Sequence, residues 1–450
     1  MSLAVIILAA GHGRRMRSAL PKVLHQIGHA PLLHHAMDSA GAVNPDMIVV
    51  VAGHGEDGVA EAARAHTPDA VIVTQKDRLG TGHAVAQAKK ALGNCAGDVD
   101  VIVLYGDTPF ISADSLHRLL AAYAGGAAAV VMGFEAADPG RYGRLKTGAD
   151  GMPEAIVEAG DASEAERAIT LCNSGIMAAS AQTMFTMIGR TNRANAGGEY
   201  YLTDVIAEVR KAGMKTAVVT CAEAETRGVN SRADLALAEA VFQARKRAEA
   251  MENGVTLTAP ATVHFARDTR IGRDVTIGPN VVFGPGVTVD SGALIRAFSH
   301  LEGCHVSPQA IVGPYARLRP GAEIGSGARI GNFVEIKGAV IGTGARVNHL
   351  SYLGDASVGA EANIGAGTIT CNYDGVSKHG TEIGARAFIG SNTALVAPVR
   401  LGAGGMTGAG SVITDDVPDG ALAIARAGQT NRPNLARRLM RRLRAARKER

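Results

Sequence analysis

Residues 271–289 read IGRDVTIGPNVVFGPGVTV, and this stretch decides the fold of the C-terminal half. An apolar residue returns at every sixth position, and Gly often follows it. A fixed six-residue period is typical of a parallel β-helix, in which each rung buries one apolar side chain and the chain then turns sharply. We therefore predict that a β-helical solenoid begins here.

The same period continues far beyond this stretch. It breaks after Leu301, resumes at Val312, and is interrupted again between Ile364 and Ile383. We predict a β-helical domain over residues 254–425, followed by a basic tail, 426–450. The repeated positions are Ile271, Ile277, Phe283, Val289, Ile295, Leu301, Val312, Leu318, Ile324, Ile330, Ile336, Ile341, Val347, Leu353, Ile383, Ile389, Leu395, Leu401, Thr407 and Ile413.

The N-terminal part, residues 1–229, has a different pattern, in which short aliphatic runs alternate with helical spacing. This alternation predicts an α/β domain of Rossmann-like type with a mostly parallel sheet, and ligands bind such sheets beyond the carboxyl ends of the strands. Residues 230–253 read as a helical linker. The predicted strands are Leu3–Leu8, Met47–Ala52, Ala70–Thr74 and Asp100–Tyr105, and Thr81–Leu92 is a predicted helix.

The charge distribution argues against a nucleic-acid partner. The formal net charge is +4, but residues 437–450 alone carry +7, which leaves −3 on the remainder. Only 4% of the residues are aromatic and none is Trp, so the body has no basic patch with aromatic residues for base stacking. The tail has Leu435, Leu439 and Leu443 at helical spacing among arginines, and we assign it no function.

Cysteine usage and hydropathy favour a cytoplasmic protein. The five cysteines are scattered and include no C-x-x-C pair, which argues against a disulfide framework or a zinc site and fits a reducing compartment. No apolar run approaches the roughly 18 residues of a membrane helix, so no membrane partner is expected.

Glycine-rich turns and one acidic residue follow the predicted N-terminal strands. The first strand runs into LAAGHGRRM at residues 8–16, with Lys22 soon after, and LGTG at residues 79–82 opens a helix. Backbone N–H groups of such turns can approach phosphates, and Lys22 adds positive charge. Asp107 ends the predicted strand Asp100–Tyr105, where a carboxylate can meet Mg²⁺. Taken alone, the first glycine motif is equally compatible with a plain strand-helix turn, and an Asp at such a position by itself is better explained as an N-cap or turn former.

Counting rungs brings polar residues together in the C-terminal half. Arg319 and Lys337 replace the usual Gly and are 18 residues apart, so they stack at one corner if three rungs make a coil. Two cations so close require a carboxylate or a bound anion such as phosphate. We expect Glu335, His349 and Tyr352 on the face that leads into this corner, where His349 could deprotonate an amine.

Together the motifs resemble two known families. The N-terminal set LAAGxG, PK, LGTG and YGD is similar to sugar-1-phosphate nucleotidyltransferases, and the repeats are similar to left-handed hexapeptide acyltransferases. Except for the basic tail, the chain resembles the bacterial bifunctional N-acetylglucosamine-1-phosphate uridyltransferase/glucosamine-1-phosphate acetyltransferases. This resemblance implies a left-handed β-helix, a cytoplasmic homotrimer, Mg²⁺, and acetyl-CoA and UTP as co-substrates. It also implies synthesis of UDP-N-acetylglucosamine for peptidoglycan and lipopolysaccharide.

The resemblance also implies roles for individual N-terminal residues. Three residues depart from the family pattern. Arg14 and Arg78 add positive charge near the expected phosphates, so the resemblance does not fix the nucleotide preference. Gly160 replaces a residue that is often Lys, so one contact to the sugar is not implied. The implied uridine ligands are Leu8, Ala10, Gly11, Gln75, Gly80 and Thr81, the triphosphate ligands Arg15 and Lys22, the metal ligands Asp107 and Asn230, and the sugar-phosphate ligands Tyr105, Gly143, Glu158, Asn173 and Thr203.

The same resemblance assigns roles in the β-helix. His349 is implied as the general base and Glu335 as its neighbour. An alternative, in which the repeats form a non-catalytic structural module, is disfavoured by the cation pair and by the inserted NYDG at residues 372–375. The implied glucosamine-1-phosphate ligands are Arg319, Lys337, Tyr352 and Asn363, and the implied acetyl-CoA contacts are Ala366, Asn372, Tyr373, Ser391, Ala409 and Arg426.

Overall fold

A computed structural model describes residues 2–53, 55–93 and 99–448. The chain forms two compact units, Met1–Arg245 and Lys246–Arg450, whose boundary falls inside the helix Arg232–Glu252. The domain limits at residues 229 and 253 stay predictions. Cys95, one of the five cysteines, lies outside the described residues.

A nine-stranded sheet is the centre of the first unit. Ala4 and Ile6 of its central strand pack into one apolar layer and Val5 and Ile7 into the other, because successive side chains point to opposite faces. Leu171–Ser180 runs antiparallel to both neighbours, and the other neighbouring strands of the main path are parallel. The main path is Thr216–Thr220, Ala129–Glu135, Leu171–Ser180, Val99–Tyr105, Ser2–Leu8, Met47–Ala52 and Val71–Thr74, with Arg144–Thr147 and Pro153–Val157 at its side and a separate pair Gln26–Ile27 and Ala30–Pro31.

Helices cover this sheet. The segment predicted as one helix, Thr81–Leu92, is two helices separated at Ala88. Phe242 of the long helix packs with Ile27 and Phe110 of the same unit. The α-helices up to the unit boundary are Leu32–Gly41, Glu56–His66, Thr81–Gln87, Lys89–Leu92, Ala113–Ala124, Glu164–Arg167, Ala181–Ile188, Asp204–Lys211 and Arg232–Glu252. The short 3-10 turns of the first unit are Arg14–Met16, Lys22–Leu24 and Glu223–Glu225, and Pro260–Thr262 is a 3-10 turn of the second unit.

Three parallel sheets make up the second unit, and the chain visits them in rotation. The first face consists of Thr256–Leu257, Thr276–Ile277, Leu294–Ile295, Ile311–Val312, Arg329–Asn332, Arg346–His349, Asn363–Ile364, Phe388–Ile389, Met406–Thr407 and Leu422–Ala423. The second face consists of Val282–Phe283, His300–Leu301, Arg317–Leu318, Glu335–Lys337, Tyr352–Gly354, Ile369–Cys371, Ala394–Val396 and Val412–Ile413. The third face consists of Arg270–Ile271, Thr288–Val289, Cys304–Val306, Ala322–Ile324, Val340–Ile341, Ala356–Val358, Thr381–Ile383 and Val399–Leu401.

The predicted repeat positions form the core of this prism. All but Ile271 are buried. The strands that carry them pair coil by coil on each face, and this pairing continues across the inserted loop, where Val358 pairs with Ile383. The break after Leu301 is a shortened rung, in which Val306 turns inward and is fully buried. The fold class predicted for both halves, an α/β domain followed by a parallel β-helix, is confirmed.

Two further features complete the fold. The basic tail forms the helix Leu435–Lys448, and Leu439, Met440 and Leu443 on it are exposed. Among the described residues, no helix combines the length and the apolar character that crossing a bilayer requires.

Candidate active sites

A cleft of about 440 Å³ lies at the carboxyl ends of the central strands of the first unit. Loops after Ser2–Leu8, Val71–Thr74 and Val99–Tyr105 line it, as expected for a parallel sheet. The structure therefore brings together segments that are far apart in sequence. The predicted ligands among its lining residues are Leu8, Ala10, Gly11, Lys22, Gln75, Gly80, Thr81, Tyr105, Asp107 and Asn230.

Lys22, Asp107 and Asn230 form one polar cluster in this cleft. The Lys22 ammonium donates to Asp107 Oδ2 and, at 3.1 Å, to Asn230 Oδ1. The Lys22 and Asp107 side chains are largely buried, with 13% and 15% of their surfaces exposed. A cation thus lies between the two oxygen donors that were predicted to hold a metal.

The predicted sugar-phosphate ligands are linked around Glu158. Thr203 Oγ1 donates to Glu158 Oε1 at 3.2 Å, and Gly143 lies directly beside the same carboxylate. Asn173 N donates to Gly143 O at 2.8 Å. Burial raises the pKa of Glu158, although the Thr203 hydrogen bond acts in the opposite direction. A second cavity of about 610 Å³ adjoins Glu158 and includes Gly160, one of the departures.

The structure leaves Arg15 outside this set and adds residues that the sequence did not assign. Arg15 is exposed and is not among the lining residues of the cleft. Arg78, noted only as a departure, does line it, together with His12 and Glu199. The position of Arg78 directly before the LGTG turn could have indicated this place in the cleft.

In the second unit, Arg319 and Lys337 share one corner of the prism, as the rung count predicts. Arg319 N donates to Ile336 O at 2.9 Å, which places Arg319 level with Lys337 on the next coil. Glu335 supplies a carboxylate to one of these cations, because it accepts from Arg319 Nη1 at 2.8 Å. This hydrogen bond raises the pKa of Arg319.

A third cation, Lys378 in the inserted loop, joins this corner. The proximity of its ammonium group, followed by the charge of Arg319, lowers the pKa of Lys337. The repeat does not predict Lys378 at this corner, because it lies 41 positions after Lys337 in a loop that breaks the six-residue period. The three cations create a positive potential at this corner that favours an anion.

Polar residues beside these cations lie over Gly354. A Cβ at Gly354 would come within 2.3 Å of Tyr352 Oη and 2.9 Å of Asn372 Nδ2, so Gly here makes room for both side chains. Asn372 Nδ2 donates to Asp355 Oδ2 at 2.5 Å. In the loop, Asp374 accepts from the backbone N–H groups of Ser377 and Val376, which lowers its pKa together with the His379 hydrogen bond.

His349 does not lie where the sequence placed it. It ends Arg346–His349 on the first face, whereas Tyr352 and Lys337 belong to the second face. The prediction that His349 and Tyr352 share a face is wrong, because the chain turns between them. His349 Nδ1 makes a 2.8 Å hydrogen bond with Asn332 Oδ1, and its side chain is exposed.

A row of backbone hydrogen bonds defines the edge between the first and second faces, on which His349 lies. Gly367 N donates to His349 O, Asn392 N to Ala366 O, and Gly410 N to Ser391 O, at 3.3, 2.7 and 2.8 Å. This edge therefore carries, coil by coil, the residues His349, Ala366, Ser391 and Ala409.

Two other predicted ligands lie off this edge. Asn363 lies on the first face of the same coil as Ala366, and Arg426 is exposed after the last strand.

The architecture and the two sets of residues define a class of protein, a sugar nucleotidyltransferase fused to a hexapeptide acyltransferase. The model of the MobA-like NTP transferase domain matches residues 5–165. That of the bacterial transferase hexapeptide (six repeats) matches residues 268–303 and 303–338.

Full-length relatives identify the family. The chain is 63% identical to the bifunctional protein GlmU of Ruegeria sp. (strain TM1040), over 99% of this chain and 98% of the relative. It is 60% identical to the bifunctional protein GlmU of Cereibacter sphaeroides (strain ATCC 17025 / ATH 2.4.3), over 99% and 97%. A solved UDP-glucose pyrophosphorylase complexed with UDP-glucose has a TM-score of 0.44 at 17% identity and covers 54% of this chain and 100% of its own.

The chain belongs to the GlmU family of bifunctional enzymes. It has the uridyltransferase and acetyltransferase activities of UDP-N-acetylglucosamine synthesis, as its sequence predicts. The alternative in which the repeats are only a structural module does not hold.

Proposed function

We propose that the cleft of the first unit binds UTP and N-acetylglucosamine-1-phosphate and transfers the uridylyl group. A phosphate oxygen of the sugar attacks the α-phosphate in line, and pyrophosphate leaves. Positioning and charge neutralisation are sufficient for such a transfer, so no protein nucleophile is required. The Lys22–Asp107–Asn230 cluster carries this assignment, because it places a cation and oxygen donors in the same cleft as the glycine-rich turns.

The residues of this cluster fit Mg²⁺. Asp107 and Asn230 supply a carboxylate and an amide oxygen, and both already contact one cation, the Lys22 ammonium. Within the described residues no group of three His, Cys, Asp or Glu could hold a metal, so phosphate oxygens would complete the coordination, as Mg²⁺ commonly requires. Bound there, Mg²⁺ would neutralise developing charge on the phosphates. Lys22 would then pair with the triphosphate.

For acetyl transfer, the corner with Arg319, Lys337 and Lys378 would bind the phosphate of glucosamine-1-phosphate. Tyr352 and Asn372 lie beside these cations and would contact the sugar. His349 would deprotonate the amine, and the edge through Ala366, Ser391 and Ala409 would hold acetyl-CoA. Since His349 and the cations occupy opposite edges of the second face, residues of another chain would complete the site.

A homotrimer follows from the family resemblance, and an apolar ridge supports it. The ridge consists of Phe298, Tyr315, Phe333 and Leu350, which continue the edge of His349 coil by coil and are 49%, 47%, 57% and 62% exposed. All four have a positive φ between 52° and 60°, a conformation that costs bulky residues free energy. Elsewhere on this edge Asn280, Gly367, Asn392 and Gly410 occupy such positions. Bulky apolar side chains that are both exposed to solvent and held at positive φ would be unfavourable in an isolated chain. Contact with another chain would bury them, so the ridge supports an oligomer.

The enzyme would act in the cytoplasm. Its described cysteines, Cys172, Cys221, Cys304 and Cys371, are free thiols, which suits a reducing compartment.

A coupled assay tests the site assignments. Purified protein with glucosamine-1-phosphate, acetyl-CoA, UTP and Mg²⁺ should form UDP-N-acetylglucosamine. Asp107→Asn should raise the Mg²⁺ concentration needed for half-maximal uridylyl transfer at least tenfold, and acetyl transfer should stay unchanged. An unaltered Mg²⁺ requirement would remove Asp107 from the metal site.

A further inference from the structure

The side-chain amide of Gln75 has a defined orientation in the cleft of the first unit. Its Nε2 lies 3.0 Å from Gly80 O and 3.1 Å from His83 Nδ1. A backbone carbonyl can only accept a hydrogen bond, so the amide nitrogen, not the oxygen, must face Gly80. His83 Nδ1 must then act as the acceptor of the second amide hydrogen.

This arrangement uses both hydrogens of the amide nitrogen and leaves its oxygen available. No hydrogen bond to Gln75 Oε1 occurs within the described part of the chain, and Gln75 lines the cleft. The terminal torsion of Gln has broad, roughly two-fold preferences, so its neighbours decide which end of the amide faces the ligand. A flip of the amide would lose the hydrogen bond to Gly80 O and oppose two oxygen atoms, and it would also lose the bond to His83 while Nδ1 is the acceptor.

We propose that His83 is a positioning residue for base selection, because it presents the carbonyl of Gln75 to the nucleotide. This proposal rests on the uridine role of the cleft. Uracil has an N3–H that can donate to a carbonyl oxygen, whereas N3 of cytosine has a lone pair that would face Oε1 unfavourably. A polar contact that fits one ligand and leaves the other unpaired is an effective means of discrimination.

The position of His83 suits this task. It is the third residue of the helix Thr81–Gln87, which the glycine-rich turn opens directly beneath the cleft. On the other side of the ring, Gln87 Nε2 donates to His83 O at 3.0 Å and lies 3.2 Å from His83 Nε2. With Nδ1 as the acceptor, Nε2 carries the ring proton, so its contact with the Gln87 amide nitrogen is not a hydrogen bond. The ring does not itself line the cleft.

A competition assay tests the role of His83. The full-length enzyme is given equal UTP and CTP with N-acetylglucosamine-1-phosphate and Mg²⁺, and the UDP-sugar to CDP-sugar ratio is measured by mass spectrometry. In His83→Leu the ratio should fall about 3- to 10-fold, the range for one neutral hydrogen bond. KM for UTP should rise while kcat changes little. In His83→Asn, whose Oδ1 can replace Nδ1 as acceptor, the ratio should be retained.

Two further variants make the outcome decisive. Gln87→Ala removes the amide on the other side of the ring and should leave the ratio within twofold. If His83→Leu does not fold, His83→Gln shifts the acceptor away from Gln75 and should lower the ratio in its place. A folded His83→Leu or His83→Gln enzyme with the wild-type ratio would overturn the proposal. Absence of any UDP-sugar from wild-type enzyme would instead refute the proposed function of the cleft.

Discussion

At the residue scale, Arg319, Lys337 and Lys378 place three positive charges at one corner of the prism. Arg319 is compensated by Glu335 at 2.8 Å, but Lys337 and Lys378 face each other. Their mutual repulsion lowers the pKa of Lys337, so an anion that binds between them relieves an unfavourable contact. We infer that this corner is prepared for the phosphate of the amino sugar.

Lys378→Ala tests this inference. KM for glucosamine-1-phosphate should rise about tenfold, because one charge-assisted hydrogen bond to the phosphate is lost. The measurement is initial-rate kinetics of CoA thiol release. Lys146→Ala, on the surface of the first unit, is the control and should leave this KM unchanged. A wild-type KM in Lys378→Ala would show that the loop lysine does not contact the substrate.

His349→Ala tests the general base. Loss of the imidazole should reduce kcat for acetyl transfer by about 10²- to 10⁴-fold, the usual contribution of a general base. Uridylyl transfer from N-acetylglucosamine-1-phosphate should persist, since it uses the other unit. His300→Ala, at another exposed histidine of the prism, should keep both activities. If both activities fell in folded His349→Ala protein, the division into two sites would be incorrect.

At the scale of elements, each coil of the prism places three short strands under those of the previous coil. Side chains on one face therefore repeat about every 4.8 Å, and charged residues on adjacent coils interact directly. On the third face, His305 lies between Asp290, 2.8 Å from Nε2, and Glu323, 3.2 Å from Nδ1. Burial opposes protonation of His305, but the hydrogen bonds and charges of the two carboxylates outweigh it and raise its pKa.

This cluster predicts a pH dependence of stability. A pKa raised in the folded state stabilises the fold fully below the ordinary histidine pKa, about 6.5, and the effect is lost as pH rises through the folded value. His305→Gln should therefore lower the melting temperature more at pH 6 than at pH 8.5. Because the side chains are well exposed, the difference should be on the order of 1 °C. Calorimetry that gives the same decrease at both pH values would refute the role of His305.

At the scale of the whole molecule, the apolar ridge and His349 lie along the same edge of the prism. Its rings stack, with centroids 4.9 Å apart between Phe298 and Tyr315 and 5.3 Å between Tyr315 and Phe333. Leu350 ends the ridge directly beside His349. A neighbouring chain that covered the ridge would thus reach the edge that carries His349.

Phe333→Glu tests this connection. A carboxylate in the middle of the ridge should dissociate the oligomer to monomers, which light scattering measures directly. Acetyl transfer should fall at least 100-fold, because the site would lose its second chain, and uridylyl transfer should persist. Val340→Glu, an exposed residue of the third face, is the matched control and should remain oligomeric and active. An oligomeric, active Phe333→Glu enzyme would show that the ridge is not an interface.

Much of this enzyme could be predicted from local sequence. The six-residue period identified the β-helix, because each buried position contacts its equivalent one coil away. The register also brought Arg319 level with Lys337, since three rungs return the chain to the same corner. Glycine-rich turns and Asp107 indicated the cleft, because parallel strands bring their carboxyl ends to one edge of a sheet.

Only the tertiary structure decided features that depend on turns and irregular segments. The turn after His349 places it on a different face from Tyr352, and the repeat count carries no information about where such a corner lies. Lys378 reaches the cation corner through a loop that interrupts the period. The orientation of Gln75 depends on Gly80 and His83, because a side-chain amide is directed by the partners around it in space.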